Sequence, residues 1–318
     1  MGTRNLPIRN VELAAGDEGG LSRRDMLLSL TAAAAGSTIG GVAPAEAAEG
    51  SKSRMPWPSG VTLASPNELA RFHSFRRRHI DTATTFMVRQ SWSDVENAGQ
   101  NNRWLRYTGS DRPERIVFSF GWLPIGSKGF APFYEPTKTS FQSRWNALAA
   151  ALGRGGSDDC EPHWAKAADS LTKVAKNAGH RTLIVRIGWE FTSRDGPWSA
   201  FEVRYAPAFR KMWSRCATIL KNNRNGVQVL TQWDPLRRGQ IDASIDNWYP
   251  NEASNTVDII GVNYYEGAPV YHSQADWNAQ FMKTNLGGPW GLGSWLEYTK
   301  RKGKKFGIGE SLFHHSCC

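Results

Sequence analysis

What most constrains this chain is an alternation. Short runs rich in β-branched and apolar residues recur seven times between longer segments of helical composition. The runs cover residues 61–64, 80–88, 115–122, 183–190, 227–233, 257–265 and 306–310 of the 318. Most are apolar at consecutive positions rather than at every second one, the pattern of strands covered on both faces. Between them lie 65–79, 91–97, 141–178 (interrupted at 153–159), 201–223 and 275–302. The first of these opens on Ser65-Pro66-Asn67-Glu68, a capping hydroxyl with a proline in the first turn, which predicts a helix start. Doubly covered strands alternating with helices give a parallel sheet with helices outside it, the α/β class. No Gly-x-Gly-x-x-Gly turn follows any of the strands, so the expected architecture is a (β/α)8 TIM barrel rather than a dinucleotide-binding sheet. Seven strands are readable. Only Ser311 to Cys318 remain for an eighth, so the barrel is expected to be incomplete at its C-terminus.

Residues 1–48 stand apart from this pattern. Ser22-Arg23-Arg24-Asp25-Met26-Leu27-Leu28 has the form of a twin-arginine export motif, and a mild apolar run continues to Val42. Small-residue cleavage options follow at Ala43-Pro44-Ala45 and Ala45-Glu46-Ala47. The run contains three glycines and several hydroxyls, too polar for a membrane-spanning helix. Residues 1–48 are therefore expected to be a twin-arginine signal peptide and 49–318 one barrel domain. The protein would fold before export and work in the periplasm or outside the cell, with no membrane contact beyond export.

The formal charge of +10 favours acidic polymers or anionic surfaces as partners. Lys and Arg are scattered, with clusters only at Arg76-Arg77-Arg78 and between Lys300 and Lys305, and no nucleic-acid-binding motif accompanies them. Nucleic acid is not expected as a partner. Fourteen tryptophans supply large flat surfaces, either for a core or for the C–H faces of sugars. The cysteines, Cys160, Cys216, Cys317 and Cys318, form no zinc-site spacing. A Cys160–Cys216 disulfide is permitted outside the membrane but not required. His272, His314 and His315 fit no metal-ligand spacing, and no cofactor motif is present, so neither a metal nor a cofactor is expected.

Two of the runs end on a carboxylate. Leu183-Ile184-Val185-Arg186-Ile187-Gly188-Trp189-Glu190 is one; Phe306-Gly307-Ile308-Gly309-Glu310 is the other. An acid at the end of a buried strand is costly unless a proton or charge is needed there. Retaining glycoside hydrolysis needs two carboxyl groups ~5–5.5 Å apart, one to protonate the leaving oxygen and one to attack the anomeric carbon. Their acidities must be pushed apart. Strand alternation puts Arg186, Gly188 and Glu190 on one face, and Trp189 offers Glu190 an apolar wall. Asn263 and Tyr265 share a face of the sixth run, where the tyrosine hydroxyl can hold a nucleophile ionised. Arg186 either reaches the base of the site or is a buried arginine paired with a structural carboxylate. Trp233 is either a stacking floor for a sugar or core, and Trp122 and Trp198 are weaker versions of the same alternative.

Taken together, these pieces resemble the barrel glycoside hydrolases that carry their acid/base after the fourth strand and their nucleophile after the seventh, and within that clan family 26, with its endo-β-mannanase-like members. The matching residues are Arg186-Ile187-Gly188-Trp189-Glu190-Phe191 with Trp198 following, Gln232-Trp233-Asp234-Pro235, Trp248-Tyr249-Pro250, Val257 through Tyr265, and Gly309-Glu310. The resemblance implies a retaining mechanism with Glu190 as acid/base, Glu310 as nucleophile and Tyr265 as the tyrosine that bonds the nucleophile. Trp189 stands where mannanases of the family carry histidine, and Asn263 where they carry aspartate. The expected substrate is therefore a polysaccharide or oligosaccharide of mannan-like or related β-glycan type, acidic exopolysaccharides included. An open barrel would expose the edges of its first and last strands, so poor stability and weak activity are expected. The second reading is a non-catalytic carbohydrate-binding protein, or an inactive truncated remnant of such an enzyme. The sugar, its linkage, endo or exo action and the oligomeric state are not legible.

Overall fold

The computed structural model describes residues 54, 58–62, 65–124, 160–193, 198–223, 225–236, 239–251, 256–265 and 273–312. The expected signal peptide, the helical segment before residue 160, His272, His314, His315, Cys317 and Cys318 lie outside the described residues.

Seven strands form a single parallel sheet in chain order: β1 (Gly60–Thr62), β2 (Thr82–Phe86), β3 (Arg115–Phe120), β4 (Thr182–Ile187), β5 (Gln228–Trp233), β6 (Ile259–Tyr265) and β7 (Lys305–Leu312). The sheet is curled. The Thr84 hydroxyl on β2 donates to the Gly309 carbonyl on β7 at 3.4 Å. Five strand spacings would hold those strands roughly 24 Å apart in a flat sheet. Among the described residues no ladder joins β7 to β1. The architecture is therefore a partial (β/α)8 barrel of the α/β class, as the alternation predicts.

The helices are α1 (Leu69–Arg76), α2 (Trp92–Glu96), α3 (Glu161–Asn177), α4 (Ala206–Lys221), α5 (Gln274–Phe281) and α6 (Leu292–Arg301). Between α5 and α6, Thr284–Asn285 pairs antiparallel with Gly288–Pro289, where the sequence shows a glycine-rich break. In α3 the residues Trp164, Ala167, Ala168, Leu171, Val174 and Ala175 recur at helical spacing and are all buried, one apolar stripe against the sheet. The helix stops at Gly179 (φ +79°), whose N–H and that of His180 return to the Lys176 and Ala175 carbonyls. Phe209, Met212, Trp213, Cys216, Ala217 and Leu220 make the same stripe on α4. Arg215 and Glu161 tie the two helices with a forked pair, Nε to Oε1 at 2.5 Å and Nη2 to Oε2 at 2.9 Å. Beside it Cys160 and Cys216 are buried with no disulfide between them, and burial pushes the Cys216 thiol up.

Two apolar cores result. The large one lies between sheet and helices and holds most of the tryptophans. The small one, Val117, Ile184 and Ile259 with Leu230, comes from β3, β4, β6 and β5 and fills the lower barrel interior. One pleat further up, the interior turns polar.

Candidate active site

The polar layer is set by strand register. Ser119 on β3 faces Arg186 on β4, which faces Gln232 on β5. Arg186 has no exposed surface. Its Nε donates to Asp234 Oδ2, its Nη1 to Ser119 Oγ at 3.0 Å and its Nη2 to Asn263 Oδ1 at 2.9 Å. Asp234, also wholly buried, accepts a further bond from the Gln232 amide at 3.1 Å. A buried guanidinium is tolerable only when its charge and donors are met, and here three strands or their ends contribute. Room for these long side chains comes from glycines on β6 and β7. A Cβ at Gly261 would sit 2.1 Å from Gln232 Nε2, and one at Gly309 2.7 Å from Arg186 Cζ. These contacts account for glycines inside two strands, where they otherwise weaken pairing.

Glu190 stands above this layer. β4 ends at Ile187, so Gly188, Trp189 and Glu190 form a turn and not the last pleats of a strand. The alternation that put Arg186, Gly188 and Glu190 on one face therefore does not apply. Gly188 has φ +55° and Glu190 φ +54°. A glutamate in the left-handed region costs on the order of 1–3 kcal/mol and persists only where its surroundings enforce it. Here the Glu190 N–H donates to the Asp234 carbonyl and its own carbonyl accepts from Ser193, each at 2.8 Å. Glu190 Oε1 accepts from Asn263 Nδ2 at 2.6 Å. An amide hydrogen can be accepted by a carboxylate or by the carbonyl oxygen of the protonated acid, so the bond suits both states of a general acid/base. Asp234, Arg186, Asn263 and Glu190 form one continuous hydrogen-bonded chain.

Asn263 falls at an irregularity. The β6–β7 register runs Val262 to Ile308 and then Tyr264 to Ser311, so Gly309 and Glu310 together oppose Asn263. Such a bulge re-aims a strand locally and is over-represented beside active sites. The strand bearing Glu310 thus reaches the polar layer at Gly309. The side chains of Glu310 and Tyr265 lie outside the described set. Tyr264 points the other way, edge-on to Trp277 of α5 at 6.3 Å, as the alternation predicts.

The tryptophans divide. Trp122 and Trp233 are wholly buried and pack as core, Trp122 against Phe209 (5.5 Å between ring centroids), Trp233 against Phe191 (5.4 Å) and Tyr249 (5.3 Å). With Arg186 they correct the expectation of direct sugar contact, because their surfaces are already covered by protein. For Arg186 the structure takes the other reading, a buried arginine paired with a structural carboxylate, Asp234. Trp189, next to Glu190 in the chain, is 9% exposed. Trp198 braces it, with ring centroids 4.6 Å apart and its indole N–H donating to the Trp189 carbonyl at 2.7 Å. Asp234, Gln232 and Ser119 have no role assigned from sequence. Asp234 carries the same signal as Glu190, an acid at a strand end, here before a proline. An open hollow of about 540 Å³ lies elsewhere, between α2 and α3, lined by Glu96, Lys166, Asp169 and Lys173. Those helices flank the sheet on its outer side, away from the ends where Glu190 stands.

No protein family profile matches the chain, and no curated protein matches it by sequence. Among solved structures the chain is similar to the YdhT protein from Bacillus subtilis, at 12% identity over 80% of each chain with a TM-score of 0.48. It is also similar to a Bacillus subtilis mannanase, man26, at 12% identity over 80% of this chain and 79% of that one, TM-score 0.46. A third similar structure is GH26A from Muricauda sp., at 10% identity over 80% and 82%, TM-score 0.45. At these scores the likeness adds nothing to the barrel architecture that the strand order already establishes.

Proposed function

We propose that this chain is a glycoside hydrolase that cleaves β-glycosidic bonds of a polysaccharide, mannan-like or a related β-glycan, by a retaining mechanism. Glu190 protonates the leaving oxygen and then activates water; Glu310 attacks the anomeric carbon. The observation that carries this reading is the meeting of two segments at the polar layer. Arg186, four residues before Glu190, lies against the backbone of Gly309, the residue before Glu310. Asn263 bonds Arg186 and Glu190 together across the same space. A glutamate kept in left-handed backbone, bonded through its side chain, fits an acid positioned for chemistry at the cost of stability. Tyr265 is the proposed partner of the nucleophile, and Trp189, braced by the buried Trp198, the apolar side of the site. Residues 1–48 are proposed to direct twin-arginine export, with work in the periplasm or beyond.

The test is reducing-end release from a panel of β-glycans, compared with Glu190→Ala and Glu310→Ala. Release that both substitutions abolish supports the reading. Glycan binding without release from any polymer favours a carbohydrate-binding protein. Release that survives both substitutions displaces the site.

A further inference from the structure

Arg89 lies three residues beyond β2, at the same strand ends as Glu190. Its guanidinium is set over two indole rings at once, 4.8 Å from the Trp189 ring centroid and 5.0 Å from that of Trp198. Both rings are fixed. The Trp198 N–H is bonded to the Trp189 backbone, the two rings touch, and Phe86 meets Trp189 edge-on at 5.4 Å. The stem of Arg89 is confined as well: a Cβ on Gly121 would lie 2.8 Å from Arg89 Cδ and 2.6 Å from the Trp198 ring. The cation is therefore held at one place. It is half-buried rather than sealed, and Phe86 and Val88 beside it are 36% and 49% exposed. A permanent positive charge and an apolar ledge thus adjoin Trp189, whose next residue is Glu190.

Stacking engages the faces of a guanidinium, while hydrogen bonding runs along its edge, where a planar carboxylate accepts two parallel bonds. A neutral sugar offers only hydroxyls at that edge and gains less from the charge. Resting on the hydrolase reading above, we propose that Arg89 determines specificity at the Glu190 site for glycans that contain uronic acid residues. The uronate carboxylate pairs with Arg89, and the C–H face of its ring lies on Phe86. The net charge of +10 draws such a polyanion to the protein.

The experiment uses two matched pairs of oligosaccharides, β-1,4-mannuronan with β-1,4-mannan and β-1,4-glucuronan with cello-oligosaccharides. The members of a pair differ only in carboxylate against hydroxymethyl at C6. Binding is measured on the full chain and on Glu190→Gln, so that turnover does not blur it. The carboxylated member of at least one pair is expected to bind about tenfold tighter or more, a single charge-assisted fork against neutral hydroxyls. Arg89→Gln should bring that ratio to within about twofold, with Arg89→Lys intermediate because it keeps charge without the planar fork. Each variant's Tm is read alongside, and if Arg89→Gln does not fold, Arg89→Lys and the wild-type ratio decide. Equal or weaker binding of both carboxylated members, no binding of any member, or an unchanged ratio in folded Arg89→Gln would each overturn the assignment. Hydrolysis is read separately. Charge-dependent binding with no reducing ends from any polymer keeps Arg89 and removes the hydrolase reading. Release with no charge preference does the reverse.

Discussion

The side-chain amide of Asn263 bridges two ionisable side chains, accepting from Arg186 Nη2 at 2.9 Å and donating to Glu190 Oε1 at 2.6 Å. A neutral residue thus connects a buried cation to the proposed acid. Asn263→Ala should lower kcat/KM by roughly 10- to 100-fold, the usual loss when a supporting partner of a functional group is removed. Asn263→Asp puts a second carboxyl within hydrogen-bonding distance of Glu190, and two carboxyl groups so close must share a proton. The activity optimum should then move to higher pH than in the wild type. An unmoved pH profile in a folded Asn263→Asp variant would contradict the bridge.

Glu190 and Glu310 differ in what their loss should do. A general acid matters in proportion to how poor the leaving group is. Glu190→Gln should cut kcat/KM for polysaccharide by about 10²–10⁴-fold but spare kcat/KM for an aryl glycoside that departs without a proton, since the lost activation of water slows only the later step. Glu310→Gln should abolish both if Glu310 is the attacking carboxylate proposed above. Equal losses of kcat/KM on the two substrates in Glu190→Gln would remove the acid/base role.

The Arg186–Asp234 and Arg215–Glu161 pairs should differ in weight. Arg186 and Asp234 have fully buried side chains, whereas Arg215 is 53% exposed and Glu161 17%. Asp234→Ala leaves a buried guanidinium short of its counter-charge and should cost about 3–5 kcal/mol. Glu161→Ala breaks a solvated pair of good geometry and should cost no more than about 1 kcal/mol. Urea unfolding of the two variants measures the contrast.

Glycine substitutions should separate space from backbone strain. Gly309→Ala drives a methyl into the Arg186 guanidinium, 2.7 Å from Cζ, and should cost about 1–3 kcal/mol with loss of activity. Gly226 (φ +75°) has nothing within 4 Å of an added Cβ, so Gly226→Ala meets only backbone strain. About 1 kcal/mol and unchanged activity are expected there.

His180 supplies a pH dependence of stability. It is 4% exposed, and burial, reinforced by the Arg112 charge, lowers its pKa to about 4. The unfolded chain protonates it near 6.5. Between those values the unfolded state binds the extra proton, so stability falls as pH drops from about 6.5 to about 4, by on the order of 3 kcal/mol. His180→Phe should flatten that part of the Tm profile relative to wild type; parallel profiles would refute the assignment.

The strands and their order were legible because a doubly covered strand writes its burial into consecutive apolar residues, as in Leu183 to Val185. Glu190 stands out in the sequence because an acid ending such a run is conspicuous; the Glu310 side chain lies outside the described set. What escaped were relationships between strands. Nothing local marks Ser119 or Gln232 as neighbours of Arg186, since register alone aligns them. The sequence places the end of β4 three residues late, at Glu190 instead of Ile187, because Trp189 and Glu190 continue the strand composition, while the turn lies in the backbone angles of Gly188 and Glu190. Trp122 and Trp233 are ambiguous in sequence for a plainer reason: the large flat face of an indole can pack against a sugar or against a phenylalanine ring.

The hub at Arg186 also bears on how the chain acquires its shape. Its partners stand 48, 67 and 77 residues away along the sequence, at Asp234, Ser119 and Asn263. Contacts of such long range must wait for loop closure and slow the final ordering of a chain. Until the sixth strand has been synthesised and docked, the guanidinium lacks Asn263 and Glu190 has nothing to receive from it. The lower barrel waits on the same closures, since Val117 and Ile184 lie as far apart in sequence as Ser119 and Arg186 and Ile259 comes from the sixth strand, so both layers are expected to order together in one late, cooperative event.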